Sequence, residues 1–199
     1  EITIGDWSSD VCSSDLKNRF ITSDLHFGHK NIIEYENRPY VDVSTMNEQL
    51  VTNWNKKVSS SDLVYLLGDI SIGMRKSDLS DLLFRLNGDI ILVMGNHDED
   101  LKFNWLSKIG RFKMVSEYPI IVDDWMIMSH KPIYLGSNIS YVNLYGHVHG
   151  DPRYLPISEN GACVCLEKWN YYPVDLEYIK SEITKLKYNQ EYEQEQSED

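Results

Sequence analysis

Five short apolar runs in this chain each stop at a residue of metal-binding type. Arg19–Ser23 ends at Asp24, Asp62–Leu67 at Gly68-Asp69, and Asp89–Met94 at Gly95-Asn96. Residues 125–129 end at His130, and residues 141–145 at Gly146-His147. Ligand sites in open α/β sheets gather beyond the carboxyl ends of the strands. Five strand ends that deliver Asp, Asn and His to one edge therefore favour a layered α/β fold with a polar site along that edge.

The segments between these runs agree. Met46, Leu50, Trp54 and Lys57 fall at spacings of three and four, so residues 45–57 are predicted to form an amphipathic helix begun near Ser44. Lys76–Leu86 carries Leu79, Leu82, Leu83 and Leu86 on one side and reads as a second helix, with a short one over 100–109. After Arg111 the texture changes to close-set strands over 112–116, 119–122, 125–129, 141–145 and 161–168, closed by a helix over 175–187. A β-α-β-α-β half followed by a mostly β half predicts two mixed sheets packed face to face with helices outside, an α/β/β/α sandwich. Residues 17–187 suffice for one domain with a single sizeable core.

Both ends differ from this body. Ser8-Ser9-Asp10-Val11 nearly repeats as Ser13-Ser14-Asp15-Leu16, without helical or strand period, so residues 1–16 are expected to be a non-native or disordered leader. Residues 188–199 are Glu/Gln-rich and are expected to be an acidic tail, a frayed helix end or disorder. The formal net charge of −12 is concentrated there, −3 in residues 1–17 and −5 in residues 188–199, so it does not exclude anionic substrates. No apolar run approaches the roughly 20 residues that span a bilayer, and no secretory-type segment opens the chain. The three cysteines, Cys12, Cys163 and Cys165, give no disulfide framework. A cytoplasmic protein without a membrane partner is expected. Cys163 and Cys165 should share one strand face as packing residues.

All six histidines lie in or beside the polar motifs: Asp24-Leu25-His26 with His29, Gly95-Asn96-His97-Asp98, Ser129-His130, and Gly146-His147-Val148-His149. Imidazole, carboxylate and amide oxygen form a ligand set for divalent transition metals, and there are enough of them for two ions. Alone, Asp-x-His is common by chance, and Gly68-Asp69 with Gly73 is more often a turn. Gly-Asn-His-Asp is more specific, because three polar residues in a row after Ile-Ile-Leu-Val-Met would be wasted in a simple turn. Gly146-His147-Val148-His149-Gly150 is the strongest piece.

The order of the five motifs, over about residues 19–187, resembles that of the calcineurin-like metallophosphoesterases, and the run Ser23–Ile33 resembles a small bacterial and phage branch of them. Gly73 stands one position later than in the commonest form. The resemblance implies a dinuclear centre in which Asp24, His26 and His149 hold one ion, Asn96, His130 and His147 the other, and Asp69 bridges both. It implies a hydrolase that cleaves phosphoester bonds by attack of a metal-bridging hydroxide, with His97 as the catalytic residue and Asp98 fixing its orientation. Mixed N/O ligation suits Mn, Fe, Zn, Co or Ni, with Mn the favoured expectation.

The remaining polar residues divide less sharply. His29 is either a substrate contact at the rim or a helix-start residue packed on the loop. Lys30, Arg38, Arg75, Lys131 and Arg153 are cations near motifs, each either a phosphate contact or a solvated charge, with Lys30 taken with His29 and Asn96 as a substrate-binding candidate. Trp169-Asn170-Tyr171-Tyr172 either stacks on a base or closes the core. The 45-residue step from Asp24 to Asp69 leaves no room for a large cap, so a small phosphorylated substrate or a phosphodiester is expected. The alternatives are a nuclease acting on DNA or RNA, which is less favoured, and a catalytically inactive metal-binding scaffold.

Overall fold

The computed structural model describes residues 17–136 and 140–197, with side chains up to Asn189. The proposed leader, residues 1–16, lies outside the described residues.

Strands β1 (Arg19–Thr22), β2 (Leu63–Leu66), β3 (Asp89–Val93) and β4 (Phe112–Ser116) run parallel, in that order. Helices α1 (Lys30–Tyr35) and α2 (Val43–Lys57) connect β1 to β2, α3 (Lys76–Arg85) connects β2 to β3, and α4 (Phe103–Lys108) connects β3 to β4. These strands alternate between two interiors. Phe20, Val64, Leu66, Ile90 and Leu92 pack with Met46, Leu50, Trp54, Leu79 and Leu83 of the helices. Ile21, Tyr65, Leu67 and Val93 face the opposite way, toward the second sheet. Strands covered on both faces need no polar alternation, which is why they read as continuous apolar runs. Trp54, 1 % exposed, keeps its indole N–H satisfied by Asn87 O at 2.9 Å.

The second sheet has the order β5 (Ile120–Val122), β6 (Met126–Ser129), β7 (Val142–Tyr145), β9 (Gly161–Cys163) and β8 (Ile157–Ser158). β6, β7 and β9 are parallel, and β5 and β8 are antiparallel edges. Met126, Met128, Val142, Leu144 and Ala162 meet the first sheet, and Leu176, Ile179 and Ile183 of α5 (Leu176–Ser197) join the same core. The short β10 (Val174–Asp175) adds antiparallel to β1 and makes the first sheet mixed as well. Two mixed sheets with flanking helices is the expected architecture.

Several boundaries differ. The long helix is capped by Asp42, whose carboxylate accepts from Thr45 N at 2.7 Å, rather than beginning near Ser44. The helix expected over 100–109 is two pieces, a 3₁₀ helix over Asn96–Leu101 and then α4, broken at Lys102 with φ 67°. The strand expected over 161–168 stops at Cys163, and Leu166–Trp169 turns as a 3₁₀ helix. The backbone of α5 stays helical ten residues past Lys187, to Ser197, across most of the proposed tail. α1, β8 and β10 are additions, each too short to show a period.

Candidate metal centre

The loops that leave β1, β2, β3, β6 and β7 meet at one edge, where the two sheets adjoin. Their backbones interlock. Asp24 N donates to Gly68 O at 3.0 Å, His26 N to Asp69 O at 3.0 Å, and Gly146 N to His130 O at 2.9 Å. Two glycines permit this approach. A Cβ on Gly95 would lie within 2.5 Å of Asp69 N and closer still to the Asp69 carboxylate, and one on Gly146 would lie 2.5 Å from Ser23 Oγ and 2.6 Å from Asp24 Oδ2. The ligand residues themselves carry strain: Asp24 (φ 60°), His26 (51°), Asp69 (53°), His147 (72°) and His149 (47°) are all left-handed. That conformation costs an L-residue roughly 1–2 kcal/mol. It persists only where the surroundings enforce it, and such strain concentrates at functional sites.

The side chains converge in two groups, Asp24 with His26 and His149, and Asp69 with His130 and His147, and within each group the ligand atoms lie within 4.8 Å of one another. Each carboxylate divides its oxygens. Asp24 Oδ2 accepts from Ser23 Oγ at 2.5 Å and His147 N at 2.9 Å. Its Oδ1 has no hydrogen-bond partner and faces His26 Nε2 at 3.8 Å and His149 Nε2 at 3.7 Å. Asp69 Oδ1 accepts from His97 N at 2.9 Å. Asp69 Oδ2 lies between the groups, 3.6 Å from His26 Nε2 and 3.4 Å from His130 Nε2. Asn96 Oδ1 stands 3.0 Å from His130 Nε2, so the amide joins the second group.

Buried polar atoms normally find partners. Both ring nitrogens of His26, 1 % exposed, and Asp24 Oδ1 have none. Divalent cations would satisfy Asp24 Oδ1 and His26 Nε2, the ring nitrogen that faces both carboxylates, and the residues present fit two. Charge balance agrees. Burial would push the Asp24 carboxyl up, but facing His26, His149 and His130 hold it well below the usual carboxylate range. Burial also opposes ionisation of Asp69, and His130 again outweighs it. His26 is shifted downward by burial, toward the neutral imidazole that a metal needs. His130 Nδ1 meets Leu67 O at 2.8 Å, which assigns the proton to Nδ1 and leaves Nε2 free as a ligand.

His97 is exposed, with Nε2 3.9 Å from Asp69 Oδ2 and its ring centroid 5.6 Å from that of His26. Asp98 does something other than expected. It is fully buried, and its oxygens accept from Asp69 N at 2.8 Å, Gly95 N at 2.8 Å and Ile70 N at 2.9 Å, so it latches the β2 and β3 loops together rather than bonding the His97 ring. Burial and the Asp69 charge push its carboxyl up to about 6 against those hydrogen bonds. His29 precedes α1 and places its ring centroid 5.3 Å from that of His26. Burial, and then the neighbouring His26 and His97, lower it to about 4.

The structure does not bring Lys30 to the ligands; it is exposed on a groove with Ile33, Glu34 and Val41 that holds no ligand residue. Arg75 pairs with Asp78, and Arg153 with Asp151, on the surface. Lys131 lines a cavity of about 440 Å³ beside Asn96 and His130. A second cleft, about 610 Å³, runs past His147, His149 and Tyr35. Arg38 is no surface cation: 3 % exposed, it donates to Asp24 O at 2.8 Å, Leu25 O at 3.0 Å and Glu167 Oε1 at 2.7 Å. Glu167, absent from the sequence-based candidates, also meets His149 Nδ1 at 3.2 Å. With Asp24 and Glu167 beside it, His149 is raised to about 9 despite its burial. Cys163 and Cys165 are buried and free, and Cys165 Sγ accepts from His149 N at 3.2 Å. Tyr171 packs edge-on against Tyr40, and Trp169 Nε1 donates to Cys163 O at 2.8 Å, so this aromatic stretch closes the core.

Two mixed sheets with paired His/Asp groups at their shared edge define a metallophosphoesterase architecture. The chain belongs to the calcineurin-like phosphoesterase family, whose profile matches residues 19–193. It is 33 % identical over 179 residues to "Uncharacterized protein MJ1445" of Methanocaldococcus jannaschii, covering 86 % of this chain and 94 % of that one. It is 33 % identical over 117 residues to the Gene 66 protein of Mycobacterium phage L5, of whose length the match spans 51 % and which it matches over 58 % of this chain. In fold it is similar to the crystal structure of a protein of unknown function, AQ665 from Aquifex aeolicus, with TM-score 0.63, 24 % identity, and coverage of 83 % of this chain and 99 % of that one.

Proposed function

We propose that this protein is a metal-dependent hydrolase that cleaves phosphodiesters or small phosphorylated compounds. One observation carries the reading: Asp69 Oδ2 stands within 3.6 Å of imidazoles from both ligand groups, the position of a carboxylate shared by two ions. Asp24, His26, His149 and Asp69 would hold one ion, and Asn96, His130, His147 and Asp69 the other. Manganese is the favoured metal. Two such ions would clamp phosphate oxygens, lower the pKa of water and stabilise developing charge on the attacking and leaving oxygens. The chain's own residues do the rest. His97, held at its backbone by Asp69 and open to solvent at its ring, would donate a proton to the leaving oxygen. His29 and Asn96 border the same space and would contact the substrate.

A preference for diesters is supported by two clefts that border the ligand set, one lined by Asn96 and His130 and the other by His147 and His149, because a diester carries two substituents. Glu99 and Glu117 line the first cleft beside Lys131, which disfavours a polyanionic nucleic acid there. Among the described residues no helix is long and apolar enough to cross a membrane. The buried free thiols suit the reducing cytoplasm. The test is a screen of aryl phosphate mono- and diesters, nucleotides, cyclic nucleotides, and DNA and RNA oligomers with added Mn²⁺. Faster diester than monoester cleavage supports the proposal. Metal uptake without cleavage of any of these substrates would favour the scaffold alternative instead.

A further inference from the structure

Arg38 and Glu167 are 129 positions apart in sequence and meet at the back of the metal centre. The Arg38 side chain is 0 % exposed and that of Glu167 5 %. Two buried charges are tolerated only when they satisfy each other. Arg38 does so with every arm of its fork. Nε and Nη2 donate to Glu167 Oε1 at 3.0 and 2.7 Å, Nη2 also to Asp24 O at 2.8 Å, and Nη1 to Leu25 O at 3.0 Å. Glu167 Oε1 reaches onward to His149 Nδ1 at 3.2 Å. The far side of that imidazole, Nε2, faces Asp24 Oδ1 at 3.7 Å.

We propose that Arg38 and Glu167 are positioning residues for one of the two ions only, the one held by Asp24, His26 and His149. This rests on the dinuclear reading above. Glu167 accepts from His149 Nδ1–H, which fixes the tautomer and ring plane and leaves the Nε2 lone pair directed at the ion. Arg38 neutralises Glu167, and its bonds to Asp24 O and Leu25 O brace the left-handed turns at Asp24 and His26 that aim the other two ligands. Glu36, His149 and Glu167 lie near enough to suggest a third cation site. The Arg38 guanidinium already supplies positive charge there through Glu167 Oε1, while Glu167 Oε2 is buried without a hydrogen-bond partner; we read the cluster as an outer layer of the centre rather than another centre. His130 takes its equivalent support from Leu67 O, independent of Arg38 and Glu167.

The experiment is calorimetric titration of chelator-stripped full-length protein with Mn²⁺, with stoichiometry checked by elemental analysis. The wild type should take up two ions. Glu167→Gln should weaken one of them by about 10–100-fold, the usual effect of losing an outer-shell partner, and leave the other unchanged. The same substitution in a His149→Ala background should add no further loss, because Glu167 acts through that ring. Glu167→Asp keeps the negative charge but draws the carboxylate back from both His149 and Arg38, whose bonds all fall on Oε1, and should reproduce the one-ion loss. Equal affinities in wild type and both Glu167 variants, equal weakening of both ions, or an additive loss in the His149→Ala background would overturn the proposal. A wild type that takes up fewer than two ions would overturn the dinuclear reading itself, an outcome distinct from two ions bound alike by every variant.

Discussion

Removing the Asp98 carboxylate separates two accounts of the Asn-His-Asp turn. If Asp98 served mainly to orient the His97 ring, its loss would slow turnover and leave the fold intact. The structure gives it three backbone donors instead, Asp69 N, Ile70 N and Gly95 N, at 2.8 to 2.9 Å and away from solvent. Oδ2 takes two of them and Oδ1 the third. Asp98→Asn can place its amide oxygen at the Oδ2 position, which leaves its NH₂ facing Ile70 N–H, donor against donor. One stranded buried donor costs about 1–3 kcal/mol. Asp98→Ala strands all three backbone donors, and at about 1–3 kcal/mol each the cost is several times larger. Urea denaturation of the metal-free protein measures both. Because the donors belong to the loops of Asp69 and Asn96, Mn²⁺ uptake should fall in the same order, wild type, Asn, Ala. An Asp98→Ala protein as stable as wild type, with full metal uptake but turnover reduced to that of His97→Ala, would refute the latch and restore the ring-orienting role.

Asp69→Ala should abolish most bound metal and activity together, since both ligand groups face its Oδ2; retention of two ions by elemental analysis would contradict the shared position. His97→Ala should keep metal and lose about 10²–10⁴-fold in kcat on a substrate with a poor leaving group, with a smaller loss on a good one. Away from the site, Asp123 is bonded by Arg19 and Lys180, and Arg19, then Lys180, hold its carboxyl below the usual range. Its folded pKa is depressed, so its stabilisation is present above the ordinary value of 3.8 and is lost as pH falls below it. Asp123→Asn should thus be less stable than wild type at neutral pH, and the two thermal denaturation midpoints should converge in acid. A gap that persists at the lowest pH would exclude the ionic origin.

The strands and most of the candidate ligands are legible because one constraint produces both signals. A strand buried on two faces is apolar except where a polar side chain is bonded, as Asn143 in β7 is, so a run of polar residues marks where the strand leaves the sheet and the site begins. Residues whose role depends on distant partners gave no such signal. Arg38 reads as any loop cation until a glutamate 129 residues later buries it. Glu167 was hidden in an alternating segment that looked like strand through 168; the chain instead leaves the sheet after Cys163, and its 3₁₀ turn carries Glu167 to His149. The orienting role expected of Asp98 comes from the family resemblance, whereas its carboxylate bonds Asp69 N, Ile70 N and Gly95 N. In a 3₁₀ helix successive residues project about 120° apart, so His97 can face solvent while Asp98 faces the interior.

The left-handed turns add a link between backbone and chemistry. Asn, Asp and His are the non-glycine residues most enriched at positive φ, and they also supply amide, carboxylate and imidazole ligands. At Asp24, His26, Asp69, His147 and His149 the same side chain satisfies both demands. Glutamate offers the same carboxylate one methylene further out, whereas Asp24 and Asp69 reach Ser23 Oγ, His147 N and His97 N from a left-handed residue with the shorter side chain. A ligand-conserving exchange such as Asp24→Glu therefore keeps a carboxylate for the metal but displaces the contacts to Ser23 Oγ and His147 N that hold this loop in place.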